Sequence, residues 1–314
     1  MSRPLRIQYP GAYYHVTSRG NEQKDIFKSD RDREKFLDYL QGSAQRYGAM
    51  IHCYCLMRNH YHLLLETPGG NLSQIMQHIN GSYTTYFNIK RKRAGHLFQG
   101  RHHAILVDAD AYALELSRYI HLNPVRAGAA QRPEECVWSS YIHYLDSRAA
   151  PAWLQTETIL SYLTPGELDA RACYRTFVED KLGRAVQSPL KEVWAGTLLG
   201  GEAFIEMVRG KHLNKNAHDR NLPAQRTLQR QRSIEQINQT VARHVSDDTL
   251  ARKICIQLCH RSSGEKLRGL GERFGLSESG ITQVSRRLAG EAKKDVALRR
   301  LIETIENDLG LYNV

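Results

Sequence analysis

The chain has 314 residues, 41% hydrophobic and 25% charged, with 44 Lys and Arg against 33 Asp and Glu, a net charge of +11. That composition excludes a disordered or fibrous chain. Six cysteines are too few for a disulfide scaffold, and no apolar run approaches the roughly 18–20 residues of a membrane helix. The positive excess favours polyanionic partners, nucleic acid ahead of an anionic membrane surface. The N-terminus MSRPLRIQYPGAYYHV lacks the apolar stretch of a secretory signal, so a cytoplasmic location is expected.

Residues 12–20 (AYYHVTSRG) are aromatic and β-branched and end in glycine, which predicts a strand. Phe36, Leu37 and Leu40, between Ser29 and Gly48, predict a helix. IHCYCLM (51–57) and HYHLLLET (60–67) predict two strands turning near Arg58-Asn59; Pro68-Gly69-Gly70 breaks the chain before a second helix over 72–92. A strand at 104–107 and a third helix over 109–123, stopped by Pro124, follow. This alternation predicts an α+β fold with an antiparallel sheet for residues 1–150.

Residues 151–232 are expected to form a helical middle region, with a helix over 166–182, ending in an exposed basic linker, KHLNKNAHDRNLPAQRTLQRQR (211–232). Residues 233–314 regain helical periodicity, with Leu250, Ile254 and Leu258 on one stripe. Helices over 265–274 and 279–290, joined by Gly275-Leu276-Ser277-Glu278, match a helix-turn-helix plan. Ile281, Val284 and Leu288 would face the core, while Ser279, Thr282, Gln283, Arg286 and Arg287 would face outward, toward DNA if this helix enters a groove. An ordinary helical hairpin is the alternative.

Three local features carry chemistry. In a strand, His60 and His62 project to one side and Tyr61, Leu63 and Leu65 to the other, so the two imidazoles could ligate one metal. The same spacing also arises incidentally in any histidine-bearing strand. Tyr119 and Asn123 are i and i+4 on the third helix. A phenol, with its pKa near 10, attacks a phosphate only with help from a cation that stabilises the transition state, and a His/His/amide site would hold one. Plain packing is the competing role for Tyr119. Finally, no Asp or Glu occurs from Thr67 to Val107, where Lys90, Arg91, Lys92, Arg93 and Arg101 interleave with Tyr83, Tyr86, Phe87 and Phe98. Cations for phosphates and rings for stacked bases suit a single-strand groove; a solvated basic helix end is the alternative.

The motifs YYHVTSRGN, MRNHYHLLL, HLFQGRHHAILVD, YIHLNPVRAG and VWSSY, in order across 13–141, resemble the single-tyrosine HUH transposases, specifically the REP-associated tyrosine transposases. The resemblance implies a ferredoxin-like antiparallel sheet with flanking helices and a divalent metal, Mg²⁺ or Mn²⁺, on His60 and His62, with Asn123 as third ligand. Tyr119 is the implied nucleophile. The implied chemistry cleaves single-stranded DNA beside hairpins of palindromic repeats, leaving a 5′-phosphotyrosine and a free 3′-OH that can rejoin strands. Arg58 stands where many relatives have proline, and Pro124 biases Asn123 away from helical geometry. A zinc site drawing on Cys53 and Cys55 fits poorly, because they lie in another predicted strand without a Cys-x₂-Cys pair.

Residues 251–288 are similar to the helix-turn-helix domain of the bacterial chromosomal replication initiator, which implies duplex or hairpin-stem binding. The expected whole is a catalytic domain (1–150), a middle region (151–232) and a DNA-binding domain (233–314). It would act as a nucleoid-associated monomer, with a dimer as the alternative. A catalytically silent DNA-binding regulator and a host nickase of chromosomal palindromes are the rival functions.

Overall fold

The computed structural model describes residues 7–163, 169–184, 188–213 and 232–311, in two compact units, one within residues 6–212 and the other within 213–314. In the first, β1 (Ala12–Arg19), α1 (Asp30–Tyr47), β2 (Met50–Leu56), β3 (His60–Thr67), α2 (Leu72–Lys90) and β4 (His103–Val107) follow in chain order. The strands pair antiparallel in the order β2-β3-β1-β4, the ferredoxin-like arrangement. A two-residue strand, β5 (Leu198–Leu199), pairs parallel with β4 and makes the sheet mixed rather than purely antiparallel. Two leucines carry no alternation, so this edge strand leaves no trace in the sequence pattern.

The pleat divides the side chains between two layers. Tyr14, Val16, Tyr61, Leu63 and Leu65 lie buried on the side of α1 and α2, together with Phe36, Leu40, Ile75, Met76, Ile79 and Tyr83. On the opposite side Cys53, Cys55, Leu64, Ile105 and Val107 pack with Ala113, Leu116 and Ile120 of α3 (Ala109–His121). The third helix therefore stops at His121, two residues short of the expected end. Pro124 does not terminate it; it opens a separate turn, α4 (Asn123–Arg126), in a first-turn position where its missing N–H costs nothing.

Residues beyond 140 join the α3 side. α5 (Tyr141–Leu145), α6 (Glu157–Leu160) and α7 (Ala170–Glu179) bury Tyr141, Tyr144, Ile159, Leu160, Tyr174 and Val178 in the same cluster, and α8 (Glu202–Val208) follows β5. Described residues between 151 and 199 thus share the core of the first unit. The helix expected over 166–182 is the shorter α7, and most of the expected basic linker, 214–231, lies outside the described residues.

The second unit contains α9 (Ile234–His244), α10 (Asp248–Ser262), α11 (Leu267–Phe274), α12 (Glu278–Lys294) and α13 (Val296–Asp308) around Ile237, Val241, Ile254, Leu258, Leu270, Ile281, Leu288 and Ile305. The α11–α12 connection is a tight turn. Gly275 caps α11 at φ +64, a Cβ on Gly271 would lie 2.6 Å from the Leu276 carbonyl oxygen, and the Ser277 hydroxyl accepts from the Gly280 N–H at 3.1 Å. Ser279, Gln283, Arg286 and Arg287 are exposed as expected, whereas Thr282 is half-buried and donates to the Glu278 carbonyl. Among the described residues no helix is long and apolar enough to cross a membrane.

Candidate active site

Strand β3 brings His60 and His62 to the α3 side of the sheet, with ring centroids 5.1 Å apart and planes at 77°. The second nitrogen of each ring is already committed. Asn59 donates through Nδ2 to the Gln23 carbonyl at 3.0 Å, which turns its Oδ1 toward His60 Nδ1 at 2.7 Å. His60 therefore donates from Nδ1 and keeps its Nε2 lone pair. Gly20 makes this possible: a Cβ there would lie 2.0 Å from the Lys24 carbonyl oxygen, so only glycine lets the turn carrying Gln23 close.

His62 Nδ1 lies 3.0 Å from Nε2 of His15, which the β1–β3 register places opposite Leu64, next to His62 on the same face. The two ring planes differ by only 9° with centroids 5.2 Å apart, so the bond runs in the ring planes. When His62 Nδ1–H donates to His15, the His62 Nε2 lone pair is left facing the site. Burial first, then the neighbouring imidazoles and Arg126, push the His62 pKa well below its ordinary value; burial and then Arg19 lower that of His60. Both rings are thus held neutral, the state a ligand needs.

Tyr119 projects from the last turn of α3, half-buried and edge-on to His62 and His15, with ring centroids at 6.0 and 6.1 Å. The end of α3 is pinned by His121, whose Nδ1 lies 2.7 Å from the Tyr174 hydroxyl and whose Nε2 lies 2.7 Å from Ser140 Oγ. Burial lowers the His121 pKa to about 3, so the ring is neutral and serves as one donor and one acceptor in this network. Although Asn123 lies outside α3, its side chain is close enough to the His60 ring to oppose the lowering of its pKa. The structure thus brings together His60, His62, Tyr119 and Asn123. Arg126, in the following turn, lies over the Tyr119 ring at 4.8 Å from its centroid.

Two neutral imidazoles with free Nε2 edges and an adjacent amide fit a divalent cation while leaving positions open for phosphate oxygens. Among the described residues no group of three or more His, Cys, Asp or Glu could hold a metal. Cys53 and Cys55 are buried in the hydrophobic core, and burial pushes the Cys53 thiol up to about 12.

The basic window is less free than its composition suggests. Lys90 Nζ lies 2.7 Å from Asp32 Oδ1 and Arg91 Nη2 lies 2.5 Å from Asp32 Oδ2, and Asp32 is completely buried. Burial alone would raise the Asp32 pKa, but Lys90, the Lys28 N–H and Arg91 outweigh it and the net shift is downward. The two expected phosphate contacts Lys90 and Arg91 therefore share one acid from α1, far away in sequence, which offsets one of their two charges and leaves about a quarter of each side chain exposed. Lys92, Arg93 and Arg101 remain exposed, with Arg93 bonded to the His96 carbonyl at 3.1 Å. Arg101 lines an open groove of about 500 Å³ with Gln77, Asn80 and Phe98.

The residues that motif spacing missed are His15, Asn59, Arg19 and Arg126. Strand alternation puts His15 on a definite face of β1, but only the β1–β3 register, which no short motif encodes, sets it beside His62.

Residues 8–123 match the family described as "Transposase IS200 like", a span that includes His15, His60, His62, Tyr119 and Asn123. The resemblance stated from the motifs holds over that segment. Among solved structures, the chain is similar to one described as the REP-associated tyrosine transposase bound to a REP hairpin, with 14% identity and a TM-score of 0.42, over 49% of this chain and 92% of that one. No curated protein matches.

Proposed function

We propose that this chain, whose residues 8–123 match the IS200-like transposases, is a DNA transposase that cuts and rejoins single-stranded DNA at hairpins of palindromic repeats. The observation that carries this reading is the convergence of Tyr119 from α3 on the His60/His62 pair of β3. In the proposed step the Tyr119 phenolic oxygen attacks phosphorus, a Tyr–O–P bond forms, and the P–O3′ bond breaks. The phenolic proton leaves the nucleophile and a proton reaches the departing 3′-oxygen. His60, His62 and Asn123 would hold a divalent ion, Mg²⁺ or Mn²⁺, whose positive charge stabilises the developing charge on the phosphate oxygens.

The protein's own share is positional. His15 and Asn59 orient the two imidazoles, His121 fixes the helix end that carries Tyr119, and the exposed Ser279, Gln283, Arg286 and Arg287 of α12, with Thr282 beside them, would contact a duplex stem. Lys92, Arg93 and Arg101 are the exposed cations of the basic window left to track a single strand. The test is a denaturing gel of the protein with end-labelled hairpin DNA in Mn²⁺, Mg²⁺ or chelator. Metal-dependent transfer of label to protein, absent in Tyr119→Phe, is expected. Binding with no adduct in any metal, across a set of palindromes, would instead favour a silent regulator.

A further inference from the structure

Most described arginines of the first unit sit on carboxylates, for example Arg58 on Asp25, Arg118 on Glu115 and Arg171 on Glu157. The two beside the catalytic constellation do not. Arg19 ends β1 directly across from His60, its Nη2 bonded only to the neutral Gln23 side chain at 3.2 Å. Arg126 lies over the Tyr119 ring. Both are exposed, and among the described residues neither forms an ion pair with a carboxylate. The constellation is therefore bordered by two uncommitted guanidinium groups, one at the histidine edge and one at the tyrosine.

The geometry points to a phosphodiester clamp: Arg19 and Arg126 hold the backbone phosphate of single-stranded DNA that is presented to Tyr119. This rests on the proposed tyrosine chemistry. An aryl oxide approaching an anionic diester meets like charge, and planar guanidinium forks that bind phosphate oxygens in pairs remove that repulsion while fixing the phosphate's orientation. Arg126 has a second task, because its plane over the phenol ring restrains the nucleophile as it binds the phosphate.

The test is binding of a fluorescent oligothymidylate strand by the full chain across a salt series, beside the rate of adduct formation on hairpin DNA. Removing one phosphate contact lowers the slope of log K against log salt by about 0.7 for single strands, so Arg19→Ala and Arg126→Ala should each lose about that much. Arg46→Ala, which removes an exposed, distant arginine near the end of α1, should lose nothing. Arg126→Lys should keep the slope yet form adduct at least about tenfold more slowly, because charge is retained and the fork is lost. Wild-type slopes in both alanine variants, with adduct still forming in the parent, would overturn the clamp and leave the tyrosine chemistry standing. Reduced slopes with no adduct in the parent would keep the phosphate contacts and overturn the tyrosine chemistry. Adduct formation by Arg126→Ala at the parent rate would also overturn the clamp.

Discussion

His15 offers a quantitative handle on the proposed metal site, because it touches His62 but would touch neither metal nor DNA. His15→Phe keeps a flat ring in a fully enclosed position and removes the nitrogen that lies 3.0 Å from His62 Nδ1. Two costs follow. The buried His62 N–H loses its only assigned partner, worth about 1–3 kcal/mol, and the ring is freed to rotate away from the ligating orientation. Loss of such an outer partner lowers metal affinity roughly 10- to 100-fold, about 1.4–2.8 kcal/mol. Titration of the full chain with Mn²⁺, following the free-ion signal by electron paramagnetic resonance, should show this loss in His15→Phe. Partial recovery is expected in His15→Gln, whose side-chain oxygen can accept from His62. A folded His15→Phe protein with parental Mn²⁺ affinity would refute the role of this hydrogen bond.

Asp32→Asn should destabilise the first unit by roughly 2–3 kcal/mol in urea titration, less than for a fully buried pair, because Lys90 and Arg91 keep about a quarter of their surface. His121 gives a pH dependence of defined sign. The unfolded chain protonates it below about 6.5, whereas the folded ring refuses the proton until about 3, so the unfolded state holds more protons in that window. Stability should therefore fall as pH drops below about 6.5, by up to about 1.4 kcal/mol per pH unit from this ring, and His121→Phe should flatten that part of the slope. Arg286→Ala and Arg287→Ala should each weaken binding to a hairpin stem and lower its salt slope by about 0.9, while adduct formation on an unpaired strand stays at the parental rate.

What the sequence made legible was whatever is local. The 60–67 alternation placed both histidines on one face, glycines 48 and 275 marked helix ends, and Ile281 and Leu288 marked the buried side of α12. What stayed hidden depended on pairing between distant segments. The His15–His62 bond needs the β1–β3 register, and the pairing of Lys90 and Arg91 with one shared acid needs Asp32, 58 and 59 residues away. Charge counted within a window therefore overstated the free cations in α2. The i, i+4 argument for Tyr119 and Asn123 assumed one continuous helix, yet the break at Leu122 still leaves Asn123 beside His60, because Leu122 itself keeps helical backbone angles.

The most direct test of Tyr119 as nucleophile is peptide mapping of the protein after incubation with hairpin DNA and Mn²⁺, with nuclease trimming and mass spectrometry. The proposed chemistry predicts one modified peptide, bearing a nucleotide through its 5′-phosphate on Tyr119, and none in Tyr119→Phe. Cleavage that leaves a free 5′-phosphate and unmodified protein, or a nucleotide on another tyrosine, would contradict it.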